Sequence, residues 1–468
     1  MTIETTATAQ RTSSGPPLTA VVGGTILDGR GGTPLHGGVV LIEGERIKQV
    51  GDQSTPIPPE AARVRASGHY IIPGMMDANV HLHFAITPDL LLMYEGQYEA
   101  LVAEAAQVAL KSGVTTVFDT WGPREALTKV RDEIHRGERL GARIFFAGNI
   151  IGLGGPTSTD FFPLARTILP KGRADEIDAR WEQKVGADLL YMTPQEVRAR
   201  VRDYIRNGTQ NFLKYASSGH TEMQLLAFSD KVQRLIVEEG HRAGLTVQAH
   251  STSPESLRME IEAGADLLQH GDVTGPVPMP EETMEVICTR QIPCAALLVT
   301  RRFLKWNEAS GCDPMKTIHR LKDDNDRRLI AGGARLLLTT DGGVYPADAG
   351  DMPLFAGQFS ADDLPTALGE GHFHWLLAAH ELGMEPMAML QAATSNIAHA
   401  YQVHHDLGTL EAGKYADLVV LEKNPLEHPR HYRSIAAVMK AGRLIDRSAL
   451  PTEPILTGRA RRPELRRT

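Results

Sequence analysis

Cysteine is scarce in this sequence, and other features that would classify it at once are also missing. Three cysteines in 468 residues argue against a disulfide framework and favour a reducing, cytoplasmic environment. No apolar run approaches the roughly 18 residues that a membrane-spanning helix requires. The 49 basic and 57 acidic residues give a net charge of −8, which argues against a nucleic-acid-binding surface spread over the chain. The apolar content of 42 % suffices for a sizeable core.

Short β-type segments are predicted at both ends of the chain. Between Leu18 and about Ile72, alternating and β-branched runs are separated by glycine clusters, which is typical of a small β unit. A similar run returns at Leu418–Leu421, and a hairpin turn follows near Gly442. We expect residues 18–72 and 403–456 to complete one small β-sandwich. Residues 1–17 are expected to be a disordered tail, and residues 457–468 a basic tail.

The middle of the chain repeats one pattern, in which an amphipathic helix ends at glycine and an apolar strand follows at once. Gly113, Gly264 and Gly333 are examples, and glycine suits the position because it adopts the left-handed conformation that ends many helices. The predicted strands are Ile71–Val80, Thr115–Thr120, Arg143–Gly148, Asn211–Ala216, Thr246–His250, Leu267–His270, Ile292–Val299 and Leu336–Thr340. This alternation over residues 73–402 predicts an α/β fold, a (β/α)8 barrel. A doubly wound sheet would also alternate, but the chain lacks a GxGxxG or GxxxxGK[ST] phosphate loop.

Polar residues with metal-binding side chains follow or end several predicted strands. In a (β/α)8 barrel the C-terminal ends of the strands carry the chemistry. The first strand runs into Asn79-Val80-His81-Leu82-His83, and the alternation of an extended chain puts residues 79, 81 and 83 on one side. Other strands carry Lys214, His250, His270 and Asp341. Imidazole and carboxylate groups are ligands that Zn²⁺ and similar divalent ions accept.

Each of these residues also has an ordinary structural explanation. A single histidine at a strand end is more often a core or surface residue, and an aspartate before Gly-Gly is by default a turn residue. A lysine in an apolar strand can mark a misplaced strand boundary, but if it is buried it must be neutral, paired or modified. Several strands supply suitable types at the same end, which coincidence rarely produces. The sequence therefore predicts a site for a divalent ion.

The chain resembles the amidohydrolase superfamily from about Leu18 to Asp446. The matching motifs are Pro73-Gly74-Met75-Met76-Asp77, Phe212-Leu213-Lys214, Gln248-Ala249-His250, Gln269-His270-Gly271, Thr340-Asp341-Gly342 and Gly408–Leu418. The resemblance implies one or two divalent ions, zinc in the first place and cobalt, manganese or iron as alternatives. It implies a carboxylated Lys214 and a ligand set of Asn79, His81, Lys214, His250, His270 and Asp341. It also implies that Asp341 is the general base, with His250 and His270 completing the catalytic group.

The first strand departs from the superfamily pattern at one position. There the Pro-Gly-x-x-Asp frame is followed by x-His-x-His, but in this chain those positions fall on Asn79 and His81. An Asn-x-His motif marks the bacterial phenylurea hydrolases and the related thiocarbamate (molinate) hydrolases, which this chain resembles. We favour Asn79 and His81 as the ligand pair because Asp77 fixes the register. His83 is the alternative ligand, or it lies behind the pair or in the pocket.

Aromatic residues gather in the predicted loops after the strands, although aromatics make up only 6 % of the chain. This favours an apolar, aryl-accepting pocket, but large residues that merely pack over a barrel mouth would look the same. The pocket candidates are Phe84, Trp121, His220, Trp306 and Tyr345. No arginine pair stands out for a substrate carboxylate, although Arg166, Arg301 and Arg302 could serve. A neutral substrate is therefore preferred over a dipeptide.

The leading hypothesis is a cytoplasmic, metal-dependent hydrolase that cleaves the C–N bond of a neutral carbamide. An N-aryl urea of the phenylurea herbicide type, cleaved to an aniline, is the preferred substrate. The alternatives are a thiocarbamate hydrolase, an Xaa-Pro or Xaa-Arg dipeptidase, a deaminase of the same superfamily and, in a different class, a non-catalytic scaffold. We expect a small-molecule substrate, no nucleic-acid or membrane partner, and a homo-oligomer.

Overall fold

The computed structural model describes residues 5–6, 16–83, 93–161, 164–220, 223–310, 313–346 and 363–458. Both ends of the chain contribute to one nine-stranded sheet. Its strands are β1 (Thr5–Thr6), β2 (Leu18–Ile26), β3 (Leu35–Glu43), β4 (Arg46–Gly51), β5 (Ala62–Arg65), β6 (Tyr70–Pro73), β15 (Leu418–Leu421), β16 (Ile435–Lys440) and β17 (Arg443–Leu444). Strands β6 and β15 pair antiparallel and so join the two chain ends.

The sheet surrounds an apolar core to which both chain ends contribute. Buried side chains of β2, β3 and β6 pack with those of β15 and β16, among them Val21, Val40, Ile71, Leu418 and Met439. Burying such side chains is the main favourable contribution to folding. Of the predicted N-terminal tail, residues 1–4 and 7–15 lie outside the described residues, whereas β1 pairs with β5. Residues 459–468 of the predicted basic tail also lie outside them.

The middle of the chain contains eight parallel strands. They are β7 (Met75–Val80), β8 (Val114–Asp119), β9 (Arg143–Phe146), β10 (Phe212–Ala216), β11 (Thr246–His250), β12 (Leu267–Gln269), β13 (Cys294–Ala296) and β14 (Leu336–Leu338). Strands β7 to β9 form one run and β10 to β14 a second. Two parallel bridges connect the runs at both sides, one between Ile151 and Tyr215 and one between Val80 and Gly342. The ring is closed, and the predicted (β/α)8 barrel is confirmed.

Helices connect most of the barrel strands and follow the last one. They are α1 (Tyr98–Lys111), α2 (Arg124–His135), α3 (Ala165–Ile168), α4 (Lys171–Glu182), α5 (Pro194–Arg206), α6 (Asp230–Arg242), α7 (Pro254–Ala263), α8 (Glu281–Arg290), α9 (Arg301–Ser310), α10 (Asp313–Ala331), α11 (Gly371–Glu381), α12 (Pro386–Ala392) and α13 (Ser395–Ala400). Short 3-10 helices occupy Ala187–Tyr191, Pro429–Arg433 and Arg447–Ala449. In the described part of the chain, none of the helices has both the length and the apolar character needed to cross a membrane.

The first barrel strand is shorter than the predicted Ile71–Val80, because that segment belongs to two sheets. The chain passes from β6 to β7 at Gly74, whose N–H donates to the carbonyl oxygen of Asp417 at 2.9 Å. A Cβ at position 74 would collide with the side chain of Thr115, so only glycine fits this crossing. The sixth strand also ends one residue early, because His270 has a φ of 59° and cannot continue an extended strand.

A buried carboxylate attaches the C-terminal segment to helix α1. Glu104 is 2 % exposed. It accepts hydrogen bonds of 2.8 Å from the backbone N–H groups of Ile455, Leu456 and Thr457, and one of 2.6 Å from the Thr457 hydroxyl. Hydrogen bonds to a charged, buried acceptor are among the strongest in proteins.

Replacing Glu104 with alanine is expected to lower the free energy of unfolding by about 3 kcal/mol, because three backbone donors lose a charged acceptor. Chemical denaturation followed by circular dichroism measures this change. Glu99→Ala is the matched control in the same helix, because Glu99 forms an exposed ion pair with Lys129 that is worth at most about 1 kcal/mol. Equal effects of the two substitutions would contradict the assignment.

Candidate active site

The ends of β7 and β14 bring three predicted site residues into contact. The carboxylate Oδ1 of Asp341 accepts a hydrogen bond from Asn79 Nδ2 at 2.8 Å and lies 2.9 Å from His81 Nε2. Backbone hydrogen bonds across the barrel closure fix this arrangement: Asp341 N–H donates to the Asn79 carbonyl, and His81 N–H to the carbonyl of Gly342. Asn79 and His81 therefore reach the same carboxylate oxygen.

Lys214 lies in β10 and joins this group through Thr120. Its Nζ donates to Thr120 Oγ1 at 3.0 Å, and the Thr120 hydroxyl donates to Asn79 Oδ1. Lys214 is 1 % exposed. Burial lowers the pKa of Lys214 to about 8, although the nearby Asp341 and Asp119 act in the opposite direction. The amine is therefore much closer to its neutral form than an exposed lysine is.

His250 ends β11 and His270 follows β12, and their ring centroids are 5.0 Å apart. Among the described residues, neither ring nitrogen of His250 has a hydrogen-bond partner, and Nδ1 of His270 also has none. Burial lowers the pKa of His250 well below its usual value and that of His270 to about 4. Both rings are thus neutral at neutral pH, the form in which imidazole binds metal ions. Buried polar nitrogens without partners are costly, which points to a ligand.

Two of the site residues hold a left-handed backbone conformation. His270 has a φ of 59° and Asp341 a φ of 51°. For residues other than glycine this conformation is sparsely populated, and it costs on the order of 1–3 kcal/mol where the side chain does not suit it. Each of the two residues lies beyond the end of its strand, where the turn of the backbone directs the side chain into the same cavity. Such conformations cluster at functional sites.

Asp341 carries the carboxylate of this group of residues, and 28 % of its side chain is accessible. Burial by itself raises the pKa of Asp341, but His270, the hydrogen bond from His81 and the nearby Lys214 outweigh this effect and hold the pKa well below its usual range. Asp341 is therefore ionised at neutral pH. A carboxylate at a cavity wall can accept a proton from a bound molecule.

The donor chemistry of the site fits a divalent ion. The described residues contain no group of three or more His, Cys, Asp or Glu side chains arranged as a ready metal site. However, the partnerless nitrogens of His250 and His270 and the carboxylate of Asp341 are the donor types that Zn²⁺ accepts. Asn79 and Lys214 could add an amide oxygen and, after carboxylation, a carboxylate. Which of the six predicted residues bind an ion stays a prediction.

A cavity of about 420 Å³ opens onto this group of residues. His250, His270 and Asp341 form part of its wall. Most of the remaining wall is apolar and includes Met223, Val273, Leu297, Leu298, Val299, Phe303, Ile318, Pro365 and Trp375. The volume lies in the range of small-molecule sites, and such sites usually combine an apolar wall with a few polar groups. The cavity therefore suits a neutral, largely apolar molecule.

Of the five predicted pocket residues, His220 lines this cavity, Trp306 lies next to a lining residue, and Phe84 is outside the described residues. His220 lines the cavity, and its ring centroid is 5.5 Å from that of His250. The ring centroid of Trp306 lies 5.4 Å from that of Phe303, and Phe303 lines the cavity. Phe84 lies outside the described residues. The aromatic residues of α9 thus support the cavity wall.

Trp121 and Tyr345 are in the neighbourhood of the site but do not line this cavity. Trp121 is buried and stacks on Phe161 with centroids 3.9 Å apart, while its carbonyl oxygen lies 3.3 Å from His81 Nδ1. The hydroxyl of Tyr345 lies 2.5 Å from Oγ1 of Thr366, which is the lining residue. Neither residue therefore belongs to the wall of this cavity, but each contacts a residue of the site: Trp121 contacts His81, and Tyr345 contacts the lining residue Thr366.

His83 is enclosed by aromatic rings behind the first strand. Its centroid lies 4.4 Å from Trp181 and 5.4 Å from Trp121, and the residue is 2 % exposed. Burial lowers the pKa of His83 well below its usual value. Within the described residues His83 makes no hydrogen bond to Asn79 or Asp341. Its Nδ1 is buried and has no hydrogen-bond partner among the described residues, so whether His83 is a ligand or lies behind the ligand pair stays a prediction.

The three arginines considered for a substrate carboxylate are engaged elsewhere. Arg166 forms ion pairs with Asp175 and Asp178, and Arg302 pairs with Asp363 at 2.8 Å. Arg301 donates to the carbonyl oxygen of Glu381 at 3.0 Å. None of the three is among the residues that line the described cavity. Among the described residues, no arginine lines the cavity in which a substrate carboxylate would lie.

Three polar residues of the site are not among those predicted from the sequence. Thr120 directly follows β8 and connects Lys214 with Asn79, and its position at a strand end could have identified it. His319 and Lys322 line the cavity but come from helix α10. Their only sequence signal is a spacing of three residues, which is common on any helix surface.

The chain is similar to known proteins over nearly its whole length. The sequence profile of the amidohydrolase family matches residues 70–445. A solved structure of molinate hydrolase is 37 % identical to this chain and covers 96 % of it and 98 % of its own length, with a TM-score of 0.89. The crystal structure of phenylurea hydrolase B is 36 % identical, covers 95 % of this chain and 100 % of its own length, and has a TM-score of 0.89.

Two less similar relatives are named after other substrates. Ochratoxinase from Aspergillus niger is 26 % identical over 453 residues, which are 91 % of this chain and 86 % of that protein. An imidazolonepropionase from Shouchella clausii is 23 % identical and matches 88 % of this chain and 86 % of that protein. The chain is thus similar along its length to hydrolases that differ in substrate.

Proposed function

This chain belongs to the amidohydrolase family and is a hydrolase of carbon–nitrogen bonds, and we propose that it cleaves a neutral N-aryl urea to an aniline. The predicted resemblance to the amidohydrolases is confirmed. One observation carries the substrate proposal: an apolar cavity of about 420 Å³ adjoins Asp341 and the two neutral histidines. An aryl group fits such a wall, whereas a carboxylate would lose its hydration there without an arginine to bind it.

We propose that the site holds one or two divalent ions, zinc in the first place. The residues that would bind them are Asn79, His81, Lys214, His250, His270 and Asp341. When bound, a divalent ion polarises the carbonyl oxygen of a substrate and lowers the pKa of a water ligand. A urea carbonyl is a poor electrophile because two nitrogens donate electrons to it, so both effects are needed. The partnerless nitrogens of His250 and His270 support this assignment.

The surroundings of Lys214 support the proposal that this lysine is carboxylated. Carbon dioxide reacts with a neutral amine, and burial lowers the pKa of Lys214 to about 8, so a usable fraction of the amine is neutral at neutral pH. The product carries a negative charge in place of a positive one, which suits a site that binds cations. The neighbouring Thr120 hydroxyl, 3.0 Å from Nζ, is available to orient the modified side chain.

Asp341 is proposed to move the proton during the reaction. As a carboxylate at the cavity wall, it accepts the proton from the attacking water and then delivers it to the departing aniline nitrogen. The hydrogen bond from Asn79 Nδ2 to Oδ1 holds the carboxylate in place and leaves Oδ2 for the proton. The apolar wall keeps bulk water from the substrate, which strengthens the electrostatic interactions in the site.

A thiocarbamate is the second candidate substrate. The chain is as similar in structure to molinate hydrolase as to phenylurea hydrolase B, with a TM-score of 0.89 to each. A thiocarbamate is also neutral, and its carbonyl carbon is flanked by nitrogen and sulfur. The same cavity and the same proton transfer would serve it, so only kinetics separates the two candidates.

The purified protein is expected to release an aniline from an N-phenyl-N′,N′-dimethylurea, measured by chromatography. Its kcat/KM on that urea is compared with those on an S-alkyl thiocarbamate and on an Xaa-Pro dipeptide. We expect the dipeptide to be at least a hundredfold poorer, because a desolvated carboxylate without a partner costs several kcal/mol. A chelator should abolish activity and added Zn²⁺ should restore it. Faster dipeptide cleavage would contradict the proposal. A protein that purifies without metal and hydrolyses none of the three substrates, even after Zn²⁺ is added, would favour the scaffold alternative.

A further inference from the structure

Helix α10 contributes a second set of polar groups to the cavity that adjoins Asp341. His319 and Lys322, three residues apart on one face of the helix, both line this cavity. The neighbouring wall is apolar and includes Phe303, whose ring centroid lies 5.7 Å from that of His319. The proposed proton transfer uses neither residue, although both are polar groups in an otherwise apolar wall.

Lys322 is held in a fixed position by two carboxylates. Its Nζ lies 2.9 Å from Asp272 Oδ2 and 2.8 Å from Asp326 Oδ2, and its side chain is 4 % exposed. Asp272 Oδ2 is itself fixed by the backbone N–H of Leu297 at 3.0 Å. An ammonium group has three N–H donors, and the two carboxylates take up two of them. One donor is left for a group inside the cavity.

The charges around Lys322 disfavour an anionic ligand. One ammonium faces two carboxylates, Asp272 and Asp326, so an added anion would meet no net positive charge. A neutral hydrogen-bond acceptor gains a bond to the ammonium without repulsion from the carboxylates.

His319 offers a second polar atom beside Lys322. Its Nδ1 is buried and has no hydrogen-bond partner among the described residues. Burial lowers the pKa of His319 to about 4, so the ring is neutral and one of its nitrogens donates a hydrogen bond while the other accepts one. A buried nitrogen without a partner at a cavity wall is the kind of group that a ligand satisfies.

We propose that Lys322 and His319 form a second recognition site, which binds a neutral hydrogen-bond acceptor on the aryl group of the substrate. This inference rests on the proposed function and specifies its substrate further: an aryl carbamide whose ring carries an ether or a similar uncharged oxygen. Asp272 and Asp326 are positioning residues, because they hold the ammonium and cancel its charge. The apolar wall binds the ring, and the two α10 side chains select its substituent.

Two ketone ligands test this site without turnover. They are analogues of aryl dimethylureas in which carbon replaces both nitrogens, one with a 4-methoxy and the other with a 4-ethyl group on the ring. Calorimetry on the purified protein measures both dissociation constants. The wild type is expected to prefer the methoxy ligand by about tenfold or more, as expected for a hydrogen bond to a charged donor. Lys322→Met should reduce this preference to nearly one, and His319→Leu should reduce it severalfold.

A control variant and a second cavity variant are measured beside Lys322→Met. Lys305→Met is the control, because Lys305 is an exposed lysine of the neighbouring helix α9, and it should keep the full preference. If Lys322→Met does not fold because Asp272 and Asp326 lose their cation, His319→Leu decides the outcome. Equal binding of both ketones by the wild type, no binding of either, or an unchanged preference in His319→Leu would overturn the proposal.

Hydrolysis of the two matching ureas is recorded in parallel. Turnover of the ureas without any preference between the ketones contradicts the second recognition site alone. Preference between the ketones without turnover of either urea contradicts the proposed function alone. The two proposals can therefore fail separately.

Discussion

Replacing Asp341 with asparagine is expected to lower kcat on an N-aryl urea by roughly 10²–10⁴-fold, the usual contribution of a general base. Asparagine has the same shape and keeps an oxygen that can accept the hydrogen bonds from Asn79 and His81. It also tolerates the φ of 51° at this position. The variant should therefore fold normally and lose only the ability to take up a proton.

Steady-state kinetics and elemental analysis of the same preparation test this prediction. Bound metal per chain should fall much less than kcat, because five other predicted ligands are retained. Asp203→Asn serves as the control, since Asp203 lies on the exposed side of α5, where it accepts a hydrogen bond from Asn207 at 2.9 Å and pairs with Arg206 at 3.7 Å. Turnover equal to that of the wild type in Asp341→Asn would exclude Asp341 as the base.

Replacing Lys214 with methionine is expected to abolish metal binding at the carboxylated position and to lower kcat at least a hundredfold, since a bound ion supplies several kcal/mol of charge stabilisation. Stability should change in the opposite sense to that of most core variants. Lys214 is buried and its amine donates only to Thr120 among the described residues. In metal-free protein, where Lys214 is an unmodified amine, methionine of similar length removes the cost of burying that amine, so the metal-free variant should melt at or above the temperature of the metal-free wild type.

Three measurements on Lys214→Met separate the proposed role from a structural one. Elemental analysis gives the bound metal, calorimetry the melting temperature, and ¹³C NMR after incubation with labelled bicarbonate detects the carboxylated lysine in the wild type. Lys305→Met is the matched control, because Lys305 is exposed on α9. Full metal content with full activity in Lys214→Met, or no carboxylated lysine signal in the wild type, would contradict the carboxylation.

The metal-site candidates could be recognised in the sequence because they lie at the ends of strands. Strand alternation placed Asn79 and His81 on one side of the chain, and both reach Asp341 in the structure. The burial of Lys214 also follows from the apolar strand around it. These are local patterns, and the closed barrel brings the ends of its parallel strands together.

Which loop aromatics line the cavity depends on how helices pack over the barrel mouth, so the sequence does not decide it. Trp121 and Tyr345 follow strands as expected, but neither lines the cavity: Trp121 stacks on Phe161, and Tyr345 contacts the lining residue Thr366. Loop aromatics have no periodic pattern that reveals which of them face a cavity. Exposure to a ligand is decided by neighbours that are distant in sequence.

The amino-acid sequence by itself determined the barrel, the ends of the chain that share one sheet, and the types of side chain available for chemistry, because periodicity and strand ends are local properties of a chain. Tertiary structure alone decided that Lys322 and His319 of α10 enter the same cavity as Asp341. It also decided that Asp272 and Asp326 hold the ammonium of Lys322. Such contacts form only when segments far apart in sequence pack together, and no local pattern encodes the distance between them.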